Sequence, residues 1–158
     1  FGGRIEYKGF DLEVLFQGAA GMSVNILDNK NQVVAFVNNG NAYDIAKGAW
    51  AYYPAQGIDT RATATYPRLT TVSNENNYQT SSLWVKNADY LKLRNLELGY
   101  NFNSRKVQSS GISNLRVYLS AQNLLTFSGL LKHYNMDPEK ISGYPTIKSY
   151  NVGVSITF

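Results

Sequence analysis

From Tyr150 to Phe158 every second residue is apolar: Tyr150, Val152, Val154, Ile156 and Phe158 alternate with Asn151, Gly153, Ser155 and Thr157. A period of two puts the bulky residues on one face of a strand and the small polar ones on the other. Three further segments alternate in the same way. Phe10, Leu12, Val14 and Phe16 interleave with Asp11, Glu13, Leu15 and Gln17. Leu96, Leu98, Tyr100 and Phe102 interleave with Asn95, Glu97, Gly99 and Asn101, and Leu115, Val117, Leu119 and Ala121 with Arg116, Tyr118, Ser120 and Gln122. The pattern predicts antiparallel strands over approximately 4–18, 82–102, 114–127 and 145–158, with long connections over approximately 19–81 and 128–144. Inside the first connection a pair of short strands is expected between Ser23 and Phe36, around Asp28-Asn29-Lys30-Asn31, and a helical turn or two from Tyr43 to Trp50. Ser109-Ser110-Gly111, before the third strand, is a turn signal.

Two architectures leave one strand face apolar and the other wet: a soluble β-sandwich and a transmembrane β-barrel. The aromatics favour the barrel. Phe10 and Phe16 close the two ends of one segment, Phe102 and Phe158 end theirs, and Tyr150 opens the last. Aromatic residues flanking an aliphatic band suit the two interfaces of a bilayer. Asp11, Glu13, Glu97 and Arg116 share the parity of the small polar residues. A basic residue facing lipid near the midplane costs about 2–4 kcal/mol, whereas in a wet lumen Arg116 can pair with Glu97. The long–short–long order of connections matches barrels with long outer loops and short periplasmic turns, which sets the C-terminus on the periplasmic side. The expected fold class is therefore all-β, an antiparallel transmembrane β-barrel. Small barrels already use about eight strands, and an open edge inside lipid is not tolerated, so these strands are expected to be a fragment of a larger barrel.

Composition narrows the chemistry. The chain has no Cys and one His, His133, which removes disulfides, zinc knuckles, thiol nucleophiles and histidine-rich metal sites. The net charge of +4 comes from 15 basic and 11 acidic residues scattered along the chain, without the basic stripe that nucleic acid requires. No nucleophile–base pair, acid pair or phosphate-cradling loop is present, so neither an enzyme nor a cofactor nor a metal is expected. Asp137-Pro138-Glu139 offers carboxylates to a hard cation, but reads better as a turn made rigid by Pro138, and His133 as a solvated residue. Among 12 Tyr, 7 Phe and 2 Trp, the cluster Trp50, Tyr52 and Tyr53 stands out in the first long connection. Three roles stay open for it: packing of the loop, contact with a partner, and stacking on a sugar. The row Tyr150, Val152, Val154, Ile156 and Phe158 is a candidate assembly signal, because a strand with unpaired donors and a terminal aromatic can be gripped by strand addition.

An ordered set of motifs resembles a known family. Tyr7-Lys8-Gly9-Phe10-Asp11-Leu12, running to Gln17-Gly18, is similar to the first of these strands in SusC/RagA outer-membrane proteins. Ala64-Thr65-Tyr66-Pro67-Arg68-Leu69, Ser82-Leu83-Trp84-Val85, Asp89-Tyr90-Leu91-Lys92-Leu93-Arg94-Asn95 and Leu98-Gly99-Tyr100 follow in the family's order. So do Leu115-Arg116-Val117-Tyr118, Gln122-Asn123-Leu124, Asp137-Pro138-Glu139, Tyr144-Pro145 and Gly153 to Phe158. The resemblance implies the C-terminal part of a TonB-dependent barrel of about 22 strands in a Bacteroidetes outer membrane. It implies as partners the rest of the barrel and its plug, a SusD-like lid lipoprotein, the TonB complex reached through the N-terminal part, and outer-membrane lipid, with no nucleic acid. The implied activity is import of a nutrient, an oligosaccharide or in some members a peptide. A soluble β-sandwich of adhesive or structural role and a passive porin are the competing readings.

Overall fold

The computed structural model describes residues 1–29, 33–102 and 111–158. These fall into two units, the first made of Phe1–Ala20, Tyr90–Ser128 and Thr146–Phe158, the second of Gly21–Asp89 and Gly129–Pro145.

The first unit is one antiparallel sheet. It contains β1 (Gly2–Tyr7), β2 (Phe10–Ala19), β7 (Tyr90–Asn101), β8 (Asn114–Ser128) and β9 (Ser149–Thr157), hydrogen-bonded in that order. Where alternation led to one strand over 4–18, the chain makes a hairpin. Lys8 and Gly9 both take positive φ, 48° and 87°, and Tyr7 pairs with Phe10 across a two-residue turn of the mirror-image type that matches strand twist. A Cβ on Gly9 would approach the Asn101 carbonyl to 3.0 Å. The segment expected at 82–102 is likewise divided, into β6 (Val85–Asn87) and β7, and the last strand starts at Ser149 rather than at 145.

Register keeps one face apolar across all five strands. Ile5, Leu12, Leu98, Leu119 and Val152 form one row, and Tyr7, Phe10, Tyr100, Val117 and Val154 the next. In β7 the apolar parity changes between Leu93 and Leu96. A bulge at Arg94 absorbs the extra residue, so Leu91 and Leu93 rejoin the apolar face opposite Gly18 and Phe16. The pairing of β7 with β8 shifts at the same level, where Asn123 adopts a left-handed φ of 53°. This face is open: Leu119 is 54% exposed and Val152 75%. A sandwich would bury those side chains under a second sheet, and here nothing in the described residues covers them.

The packed core lies in the second unit. Ile26, Leu27, Val33, Ala35, Ala46, Tyr66, Trp84, Ala88, Leu130 and Met136 form it. The Tyr66 ring meets Trp84 edge-on at 5.7 Å, its hydroxyl donates to the Val33 carbonyl at 2.6 Å, and Trp84 Nε1 donates to the Asn77 carbonyl at 2.7 Å. The local hairpin expected within Ser23 to Phe36 does not form: β3 (Ser23–Asn25) pairs instead with β6, 60 residues on, and Ile26–Asn29 turn into a 3₁₀ helix whose apolar residues enter the core. The Lys30-Asn31 half of that expected turn, and Ser109-Ser110 of the other, lie outside the described residues. The helical turn expected after Tyr43 is a 3₁₀ helix, Asp44–Gly48. A short hairpin of β4 (Tyr52–Tyr53) and β5 (Ile58–Asp59) and a helix α1 (Gly129–Tyr134) complete the unit.

Candidate functional site

The polar face of the sheet carries a cluster of charges near the Lys8-Gly9 turn. Alternation sends Asp11, Glu97 and Arg116 to this face from three neighbouring strands. Arg116 donates through Nη2 to Glu97 Oε1 at 2.7 Å, through Nε to Asp11 Oδ1 at 3.1 Å, and through Nη2 to Asp11 Oδ2. Asn101 Nδ2 donates to Asp11 Oδ1 at 2.9 Å, and Arg4, on β1, stands 3.9 Å from Asp11 and 2.9 Å from Glu6. Asp11 is 1% exposed yet has hydrogen bonds on both oxygens, which is how a buried carboxylate is tolerated. Two glycines open the space. A Cβ on Gly99 would fall 2.5 Å from Arg116 Nη2 and 2.6 Å from Asp11 Oδ1, and one on Gly153 would fall 2.3 Å from Tyr118 Cζ and 2.4 Å from its hydroxyl oxygen. Tyr118 thus lies flat on the backbone of β9 and supports the Arg116 guanidinium, whose carbon is 5.0 Å from the ring centre. The Arg116–Glu97 pair follows from parity alone. Asp11 as its second partner is separated from Arg116 by 105 residues, and the only signal was a shared parity beside Gly99. Further along the same face Arg94 joins Gln17 and Asn123, each at 2.8 Å.

In the second unit the β4–β5 hairpin presents Tyr52 and Tyr53. Every residue from Tyr52 to Thr63 is exposed, and Trp50, just before the hairpin, is partly exposed. The hairpin is nonetheless well braced. Gly57 takes the left-handed φ of 68° at its tip, and Thr60 Oγ1 accepts from Ala51 N at 2.8 Å. Arg61 grips Asp59 with Nε at 2.9 Å and Nη2 at 2.8 Å and lays its guanidinium 3.9 Å over the Tyr52 ring. Those hydrogen bonds, with one from the Arg61 backbone, hold the Asp59 carboxyl down to about 2. Trp50 faces Arg68 at 5.7 Å. The structure therefore separates the three aromatics: Tyr52 and Tyr53 point to opposite sides of a two-stranded ribbon, and Trp50 lies outside it.

Asp137 Oδ1 accepts from Glu139 N at 2.9 Å and the Asp137 carbonyl from Lys140 N at 3.0 Å, which makes the expected turn. No group of three or more His, Asp or Glu capable of holding a metal occurs among the described residues. His133 lies on α1 beside Tyr134, 6.5 Å between ring centres. Tyr150, Val152, Val154 and Ile156 line the apolar face of β9, whose outer edge is unpaired in this sheet, and Phe158 is 87% exposed just beyond it.

The chain is 26% identical to a protein of the RagAB peptide importer in its open-open state, with a TM-score of 0.67 over 96% of this chain and 16% of that one. A RagAB peptide transporter structure gives 26% and 0.69 over 97% of this chain. The fold matches a stretch of barrel in these importers. TonB-dependent receptors P3 and P26 of Formosa agariphila are each 25% identical over the whole chain. The chain spans about 16% of the length of these curated relatives. No protein-family model matches it. These relatives are receptors and importers rather than enzymes, and the barrel wall they share belongs to an outer membrane.

Proposed function

We propose that the parent protein imports a nutrient oligomer, glycan or peptide, across the outer membrane in a TonB-dependent manner, together with a SusD-like lipoprotein lid. The observation that carries this reading is the two-faced sheet: an exposed aliphatic face for lipid and, behind it, the Asp11–Arg116–Glu97 cluster for a wet lumen. The sheet end with the two-residue Lys8-Gly9 turn and the end of β9 is the periplasmic one, and the end from which the two long insertions leave is the extracellular one. Trp50, Tyr52 and Tyr53 then belong to the outer surface, where rigid exposed tyrosines braced by Arg61 suit contact with the lid or with cargo. The β9 row from Tyr150 to Phe158 serves assembly and then lipid anchoring. The plug and the segment that engages the TonB complex belong to the rest of the polypeptide.

Growth of a strain carrying only the full-length parent as importer tests the reading. Uptake of the cognate oligomer should stop when TonB is deleted, and a lipoprotein should co-purify with the receptor in mild detergent. Uptake indifferent to TonB would make the protein a passive porin, and recovery of the full-length protein in the soluble fraction would make it a surface β-sandwich.

A further inference from the structure

The second unit contains a cleft of about 530 Å³ whose lining comes from four stretches of chain. Asp44 belongs to the 3₁₀ helix Asp44–Gly48, Thr65 to a loop, Lys86 to β6, and His133 and Tyr134 to α1. Lys86 is partly buried, and its ammonium stands 5.7 Å from the centre of the Tyr134 ring. No carboxylate pairs with it among the described residues. A partly desolvated ammonium calls for a partner, and a ring face supplies only about 0.5–2 kcal/mol of what an anion would. Asp44, the one carboxylate in the lining, is already held by Lys47 at 2.5 Å, and both of those side chains are well exposed. Thr65 Oγ1 has its place because residue 48 is glycine: a Cβ there would overlap it. The backbone is pinned at the same point, with Thr65 N and Tyr66 N both donating to the Gly48 carbonyl at 3.0 Å. Neither Thr65 Oγ1 nor the His133 ring makes a hydrogen bond to any described residue.

We infer that this cleft binds a small oxyanion of the phosphate or sulfate class, with Lys86 as its cation and the Thr65 hydroxyl and His133 ring as further donors. The ammonium has three N–H groups and accepts nothing, so an anion is the ligand that satisfies it. A tetrahedral oxyanion offers a separate oxygen to each donor, and charge-assisted bonds of this kind are roughly twice as strong as neutral ones. A cation would be repelled, and a neutral ligand would leave the charge of Lys86 unmatched. The three donors come from a loop, from β6 and from α1, so a bound ion ties these stretches together and stabilises the folded unit by mass action. The free ion and a phosphate or sulfate ester present the same oxygens, and the test separates them. The inference concerns the second unit by itself and does not depend on the importer reading.

The test is calorimetry on the purified full-length receptor in detergent, at fixed ionic strength in a buffer free of phosphate and sulfate. The probes are inorganic phosphate, inorganic sulfate and glucose 6-phosphate, and at least one of them should bind saturably. Lys86→Gln should weaken that binding at least about tenfold through the loss of its one full positive charge, and Lys86→Arg should keep more of it than Lys86→Gln does. Asp44→Asn, which removes the negative charge from the lining, should tighten it. Normal heat-modified mobility of each variant separates loss of the site from loss of the barrel. Binding of an inorganic ion makes this a site for the free ion, and binding of glucose 6-phosphate alone makes it a site for an ester. No saturable binding of any probe, or equal affinity in the parent and a correctly assembled Lys86→Gln, would overturn the inference.

Discussion

Replacing Asp11 by alanine takes away the carboxylate on which the polar face converges. Arg116 loses its hydrogen bonds to both oxygens, and Asn101 loses its bond at 2.9 Å, inside a site where Asp11 is 1% exposed. Removing one partner of a fully buried pair costs about 3–5 kcal/mol because the other charge is stranded. Arg116 is not fully stranded: it keeps Glu97 at 2.7 Å and its side chain is 19% exposed, so water reaches it. The expected loss is therefore about 2–3 kcal/mol, two or more ordinary neutral hydrogen bonds' worth. Glu6→Ala, which breaks only the 2.9 Å pair of two well-exposed side chains, should cost less than about 1 kcal/mol. Urea unfolding of the full-length barrel in lipid vesicles, followed by tryptophan fluorescence, reads both. Equal midpoints for Asp11→Ala and the parent would refute the idea that this cluster ties β2, β7 and β8 together. A Glu6→Ala loss as large as that of Asp11→Ala would do the same.

Gly99→Ala should destabilise the barrel by about 1–3 kcal/mol in the same assay, since its methyl would displace Arg116 or Asp11, and the losses of Gly99→Ala and Arg116→Ala should be less than additive when the two are combined. Leu119→Arg, at the centre of the apolar face, should cost about 2–4 kcal/mol, while Ser120→Arg on the opposite face should change little. Deleting Phe158 should lower the amount of assembled barrel in the outer membrane more than Phe158→Tyr does, as measured by heat-modified mobility; equal small losses would leave it only an interfacial anchor. The downward shift of Asp59 means that the Arg61 bridge contributes fully above the ordinary carboxylate range near about 4 and is lost only as pH falls through about 2. Carboxyl NMR of the selectively labelled receptor should show Asp59 still ionised at pH 3.

Strict alternation made β8 and β9 and the identity of their two faces legible, because a half-wet strand has no other way to satisfy both sides. It failed where parity changes. Ile5 and Tyr7 are odd while Phe10 and Leu12 are even, and that change is the Lys8-Gly9 turn. Leu93 and Leu96 differ in the same way, and there the change is a bulge rather than a turn. The sequence distinguishes them only through Gly9, which supplies the positive φ that a two-residue turn requires. Short strands held by distant partners left no periodic trace: β3 has three residues and its register depends on β6. Of the candidate residues, the β9 row was readable from its pattern. The Asp11–Arg116 pair is a product of tertiary closure, with no spacing that announces it.

The central claim is that one face of this sheet meets lipid and the other water. The segment contains no Cys, so single cysteines can be placed at Leu119, Val152, Ser120 and Asn151 of the full-length receptor and spin-labelled in vesicles. Labels at Leu119 and Val152 should be reached by oxygen and shielded from a water-soluble nickel complex, and labels at Ser120 and Asn151 should show the reverse. Equal access of the nickel complex to all four positions would contradict the account.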